Sequence, residues 1–242
     1  MRICNILAAV AATALVASSA SAATIAFTSG TFTNNSVLAL VGSTSDVIYG
    51  VNFGGTSVTT GNGYTFGIDD LSNVSHAALG GAINQLSAYP DYLSGGGTSG
   101  DASLNTVLTN GLYGDAGQTK TATLNNLTIG ITYKVLTLFA DTRDNPVIIG
   151  RTVAVTDGVA GTINQTYGYL AGSPTLGGYV LGTFTADATT QTLTQVIFDS
   201  TGPGTGTQFN GLLVAAVPEP ATLSLLGLGA IGLLSRRCAK KA

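Results

Sequence analysis

Charge is scarce in this chain. Lys, Arg, Asp and Glu make up 9 % of its 242 residues, against about 25 % in ordinary globular proteins. That scarcity argues against a long salt-bridged helix, a coiled coil and a charge-rich disordered tail. Basic residues number 9 against 12 acids, so the positive surface that neutralises phosphates is missing and no nucleic-acid partner is expected. There is one His, there are two Cys, and Trp is absent. A single imidazole leaves one side chain naturally poised as a base at neutral pH. The place of charge is taken by Thr, Ser, Asn and 33 Gly.

The few charges are unevenly placed. Arg2 stands at the start, and Arg236, Arg237, Lys240 and Lys241 at the end. Between Ala23 and Val217 lie four bases, Lys120, Lys134, Arg143 and Arg151, against eleven acids, all Asp, for a formal charge of −7. The sole Glu is Glu219.

Arg2 precedes an apolar run from Ile6 to Ala17, followed by small residues that end in Ala20-Ser21-Ala22. A basic start, an apolar stretch of this length and an A-x-A site describe a secretory signal peptide cleaved after Ala22. Cys4 then leaves with the signal, and the mature chain keeps Cys238 in its basic tail, so no intramolecular disulfide is expected. About 195 residues remain, enough for a core that needs no staple.

The other end reads Val217-Pro218-Glu219-Pro220, then a charge-free apolar segment from Ala221 to Ser235, then Arg236-Arg237. As a helix at about 1.5 Å per residue that segment spans ~22 Å, short of a ~30 Å hydrocarbon core. The basic cluster after it fixes the tail on the cytoplasmic side. An ordinary tail anchor and a transient one both fit these lengths. The order Pro-Glu-Pro, short Gly/Leu-rich helix, Arg-Arg resembles the PEP-CTERM sorting signal of Gram-negative bacteria. The resemblance implies recognition by an exosortase, a membrane protease, with Val217, Pro218, Glu219, Pro220, Arg236 and Arg237 as the sorting motif. It also implies an inner-membrane intermediate held by the C-terminal helix, and delivery to the cell surface or the exopolysaccharide matrix.

Between the two ends, alternation and β-branched residues recur. Strands are expected at Thr24–Thr28, Val37–Val41, Val47–Phe53, Tyr64–Ile68, Lys120–Leu124, Ile131–Ala140, Gly150–Thr156, Tyr179–Ala186, Thr192–Asp199 and Phe209–Ala215. Gly54-Gly55, Asn62-Gly63, Ile129-Gly130, Asp157-Gly158 and Gly202-Pro203-Gly204 mark turns. One helix is expected where Asp101 or Ser103 can cap a run with Leu104, Val107, Leu108 and Leu112 at helical spacing, stopped by Asn110-Gly111. Ser75–Leu86 reads as loop with one or two helical turns, and 91–103 as a Gly-rich surface loop. Many short strands with Gly-rich turns and no fixed repeat give an all-β antiparallel sandwich over residues 23–216, with one or two short helices, between a signal helix at 1–22 and a sorting segment at 217–242.

The order from Lys120 to Thr156, followed by Tyr179-Val180-Leu181-Gly182-Thr183-Phe184-Thr185-Ala186 and Phe209-Asn210-Gly211-Leu212, resembles galactose-binding-like and malectin-like jelly rolls. The resemblance covers about Val47 to Val214 and implies a two-sheet sandwich whose loops at one edge could hold sugar.

Chemistry has few carriers. His76 lies in a Ser/Ala/Gly segment without a nucleophile elbow and reads as a loop histidine. One His and one tail Cys cannot make the four-ligand set of a zinc site. Oxygen ligands for calcium are conceivable at Asp69-Asp70 and at Asp141 with Asp144 and Asn145, although Arg143 beside the latter favours an ion-pair loop. Neither cluster matches an EF-hand. No cofactor is expected. Among six tyrosines able to stack on sugar (Tyr64, Tyr113, Tyr133, Tyr167, Tyr169 and Tyr179), Tyr167-Gly168-Tyr169 is the most site-like, because both rings would face one side of a short strand. The expected role is a non-catalytic surface or matrix module that associates with exopolysaccharide. The alternatives are an envelope polysaccharide hydrolase and an adhesin without a defined small ligand.

Overall fold

A computed structural model describes residues 23–79, 84–86, 93, 95, 97–114, 119–142, 151–159, 161–167, 176–198 and 207–218. In chain order these form β1 (Ala26–Phe32), a 3-10 helix (Asn35–Leu40), β2 (Val47–Asn52), β3 (Val58–Thr59), β4 (Thr65–Ile68), β5 (Val74–Leu79), β6 (Asn84–Leu86), α1 (Ala102–Thr109), β7 (Gly111–Gly114), β8 (Thr119–Leu124), β9 (Thr132–Ala140), β10 (Arg151–Thr156), β11 (Thr162–Tyr167), β12 (Gly177–Thr185), β13 (Gln191–Phe198), β14 (Thr207–Phe209) and β15 (Gly211–Ala216).

The strands make a β-sandwich. A seven-stranded sheet runs β1-β12-β9-β15-β2-β4-β3 and a five-stranded sheet runs β11-β10-β13-β8-β5, with a small third sheet β14-β7-β6. The larger sheet is mixed rather than purely antiparallel, because β2 and β4 pair in parallel. Val135, Phe139, Val180, Phe184, Leu212 and Val214 point from the larger sheet into the space between the sheets. There they meet Ala122, Leu124, Val153, Val155 and Leu193 of the smaller one.

The alternate residues of the larger sheet are also buried. Leu136, Leu138, Leu213 and Ala215 face the other way, against Val37, Leu38 and Val41 of the 3-10 turn and Leu104, Val107 and Leu108 of α1. Burial on both faces explains why β9 reads Val-Leu-Thr-Leu-Phe-Ala instead of alternating with polar residues. Two cores therefore share one sheet.

Four segments depart from their sequence reading. Val37–Val41, expected as a strand, lies largely in the 3-10 helix, because Asn34 caps it by accepting from Ser36 N and its apolar residues cover the sheet instead of joining it. Part of Ser75–Leu86, expected as loop or helix, belongs to β5 and β6, the former paired in register with β8 from Val74↔Leu124 to Leu79↔Thr119. Phe209–Ala215 is broken at Asn210, and Leu112 belongs to β7 rather than the helix. Asn210 is fully buried and fully used. Its amide donates to Leu108 O at 2.8 Å and Asn110 O at 2.7 Å, and its side-chain oxygen accepts from Ala140 N at 2.7 Å.

The pairing puts the two ends of the sandwich domain side by side. Ala26 pairs with Thr183, Thr183 with Lys134, and Lys134 with Ala215. The start of β1 and the end of β15 therefore lie at one pole, together with the turn through Gly130, whose φ of +87° suits glycine.

Candidate functional site

At the opposite end of β1 a groove of about 250 Å³ opens beside the 3-10 helix. It is lined by Thr31, Phe32, Thr33, Ser36, Val37, Leu40 and Tyr179. β1 is the edge of the larger sheet and β12 its neighbour, and their register sets Tyr179 opposite Gly30. A β-carbon on Gly30 would stand 2.8 Å from the Tyr179 hydroxyl and 3.0 Å from its Cε1 and Cζ. The ring thus lies against the bare backbone of the edge strand, and a larger residue at 30 would make it shift. Tyr179 remains half-buried, with part of its surface in the groove, and Thr31, Thr33 and Ser36 are exposed beside it. An aromatic surface flanked by hydroxyls offers both the apolar contact and the hydrogen bonds that a neutral polar ligand requires.

Among the described residues, Tyr49, Tyr64, Tyr133 and Tyr167 serve the framework, and Tyr113 lies in β7. Tyr167 is 3 % exposed, and its ring packs in the inter-sheet core 5.7 Å from that of Phe139. β11 turns this last side chain inward, into the inter-sheet core; Tyr169, expected on the same side of the strand, lies outside the described residues. Tyr133 is buried, and its hydroxyl accepts from Thr128 N at 2.9 Å. Tyr64 donates to Gly42 O at 2.6 Å, and burial, then the Asp46 carboxylate, push its phenol up. Burial, then Tyr133, does the same at Tyr49.

Among the described residues the acidic candidates do not gather. Asp141 is fully buried and paired with Arg151 of β10, Nη1 to Oδ2 at 3.1 Å, so a cation from the facing sheet already occupies its carboxylate. Arg143, expected to play that part, lies outside the described residues with Asp144 and Asn145. Asp70 is solvent-exposed and accepts from Ser72 N at 2.9 Å and Ser72 Oγ at 2.6 Å; those bonds hold its carboxyl below the usual range. Asp69 precedes it at the end of β4. Among the described residues no three His, Cys, Asp or Glu side chains gather as a metal site. His76 sits in β5 opposite Ala122, a strand position rather than a loop.

The C-terminal motif begins where the sheet ends. Ala216 N donates to Asp46 O at 2.9 Å and Val217 N to Thr132 O at 2.8 Å, after which Pro218 is exposed. Glu219, Pro220, Arg236 and Arg237 lie outside the described residues. Among the described residues no helix is long and apolar enough to cross a membrane.

Residues 216–240 match the PEP-CTERM protein-sorting motif. That motif marks the chain for export and exosortase sorting through the membrane to the cell surface. No curated protein matches the chain. Among solved structures it is similar to the ANXUR1 extracellular domain from Arabidopsis thaliana, at 14 % identity and a TM-score of 0.47. It is also similar to the ANXUR2 extracellular domain from the same plant, at 14 % identity and a TM-score of 0.44. Each alignment covers 72 % of this chain and 49 % of the ectodomain, so the chain spans about half the length of either.

Proposed function

We propose that the protein is a non-catalytic surface or matrix module that associates with exopolysaccharide through its sandwich after exosortase processing. The observation that carries this reading is the sorting motif at residues 216–240, which supplies both the route and the destination. The groove at Tyr179 supports the glycan part of it. An aromatic surface seated on Gly30 and rimmed by Thr31, Thr33 and Ser36 suits a neutral sugar, and a formal charge of −7 between the two ends disfavours acidic polysaccharide.

Fractionation of the native host tests the route. Glu219→Ala is expected to trap an unprocessed form in the inner membrane, whereas wild type reaches the surface. If both arrive at the same apparent mass, the plain tail anchor replaces the sorting reading. A glycan array on the exported protein tests the ligand. Binding that Tyr179→Ala abolishes supports the groove, and absence of any binding leaves an adhesin without a defined small ligand. Release of saccharide in a turnover assay would make the protein a hydrolase.

A further inference from the structure

We propose that the pole from which both chain ends leave the sandwich rests on the lipid bilayer while the tail is still attached, with Leu71, Ile129 and Val159 as its apolar contacts. The inference rests on the reading that Ala221–Ser235 enters the membrane. Val217 is fixed to Thr132 at the edge of the pole. Only Pro218, Glu219 and Pro220 separate it from the apolar segment, so the Cα atoms of Val217 and Ala221 are at most about 14 Å apart. Two prolines stiffen that link. A domain held this closely cannot turn another surface toward the bilayer.

The pole is built for such a contact. Ile129, 61 % exposed, stands on the turn between β8 and β9, where Gly130 N donates to Ala186 O. Val159, 58 % exposed, tips the β10–β11 hairpin, beside Asp157, whose carboxylate accepts from Ile25 N at the start of the chain's first strand. Leu71, 51 % exposed, precedes Ser72, whose carbonyl accepts from the Asn125 and Asn126 amides just beyond β8. Leu71 also has a φ of +64°, a backbone conformation that disfavours leucine. Asp46 and Asp187 lie at the same pole. Their charge keeps the tips at headgroup depth and gives the contact no preference for anionic lipid.

Spin labels on the full chain test this. In a Cys4→Ser, Cys238→Ser background, single labels are placed at Ile129→Cys, Val159→Cys, Thr33→Cys and Leu226→Cys, and the protein is reconstituted in phosphatidylethanolamine/phosphatidylglycerol vesicles. Collision with oxygen relative to a water-soluble nickel chelate is expected to be several-fold higher at 129 and 159 than at 33, which lies at the far end of β1. If 129 and 159 match 33 while 226 is immersed, the pole does not touch lipid and the proposal fails alone. If 226 is also aqueous, the membrane reading of the tail fails with it. Labels at 129 and 159 shielded from both reagents would assign the pole to a second copy of the chain and overturn the proposal.

Discussion

Asp101 joins three separate stretches of chain through one carboxylate. Its Oδ1 accepts from Ser103 N and Leu104 N at the start of α1, and its Oδ2 from Gly61 N at 2.8 Å and Asn35 Nδ2 at 3.1 Å. Burial pushes this carboxyl up, but the four donors outweigh it and hold the group below its ordinary 3.8. A depressed folded-state pKa contributes stability that is fully present above the ordinary value and is lost as pH falls through the folded one. Asp101→Ala is expected to cost about 1–2 kcal/mol near neutral pH. Thermal melts of wild type and variant should converge as the pH drops below 3.8; a constant gap would show that the charge is not what the four donors hold. The sequence offered Asp101 or Ser103 as the cap of the apolar run that follows, and the structure uses Asp101. The bonds to Gly61 and Asn35 were not legible there, since nothing local predicts a partner 40 or 66 residues away. The same limit applied to the tyrosines. Tyr167 and Tyr179 look alike in sequence, and only the register that sets Tyr179 opposite Gly30 separates a core ring from a surface one.

Among the elements, β8, β9, β12 and β13 were readable to within a residue or two, because β-branched runs bounded by turns leave little choice. The 3-10 helix misled because Val37, Leu38 and Val41 are as apolar as a strand, and their burial against the outer face of the larger sheet is a tertiary fact. β5 misled in the opposite sense: Ser-His-Ala-Ala-Leu has little strand propensity, and pairing with β8 overrides it. The consequence of the double core can be measured in β15. Leu212 faces the other sheet and Leu213 faces α1, and both are wholly buried. Leu212→Ala and Leu213→Ala should each cost about 2–5 kcal/mol in urea denaturation. A Leu213 loss near zero would mean that the helical layer is a cover and not a core.

The whole molecule rests on burial. Cys4 and Cys238 flank a domain that has no cysteine of its own, so dithiothreitol should leave the melting temperature of the exported protein unchanged. A drop of many degrees would overturn that expectation. One further consequence concerns time rather than stability. β15 is the last strand among the described residues and yet the middle strand of the seven-stranded sheet, between β9 and β2. Its pairings reach across most of the sequence, and contacts of that separation are slow to form. A chain that crosses the membrane from its N-terminus therefore has β1, β2, β9 and β12 on the far side before the strand that joins them has emerged. If, as proposed, the apolar segment that follows β15 by only a few residues enters the membrane, it would arrest the chain when that strand has just cleared the bilayer, and the step that halts translocation would also complete the sheet.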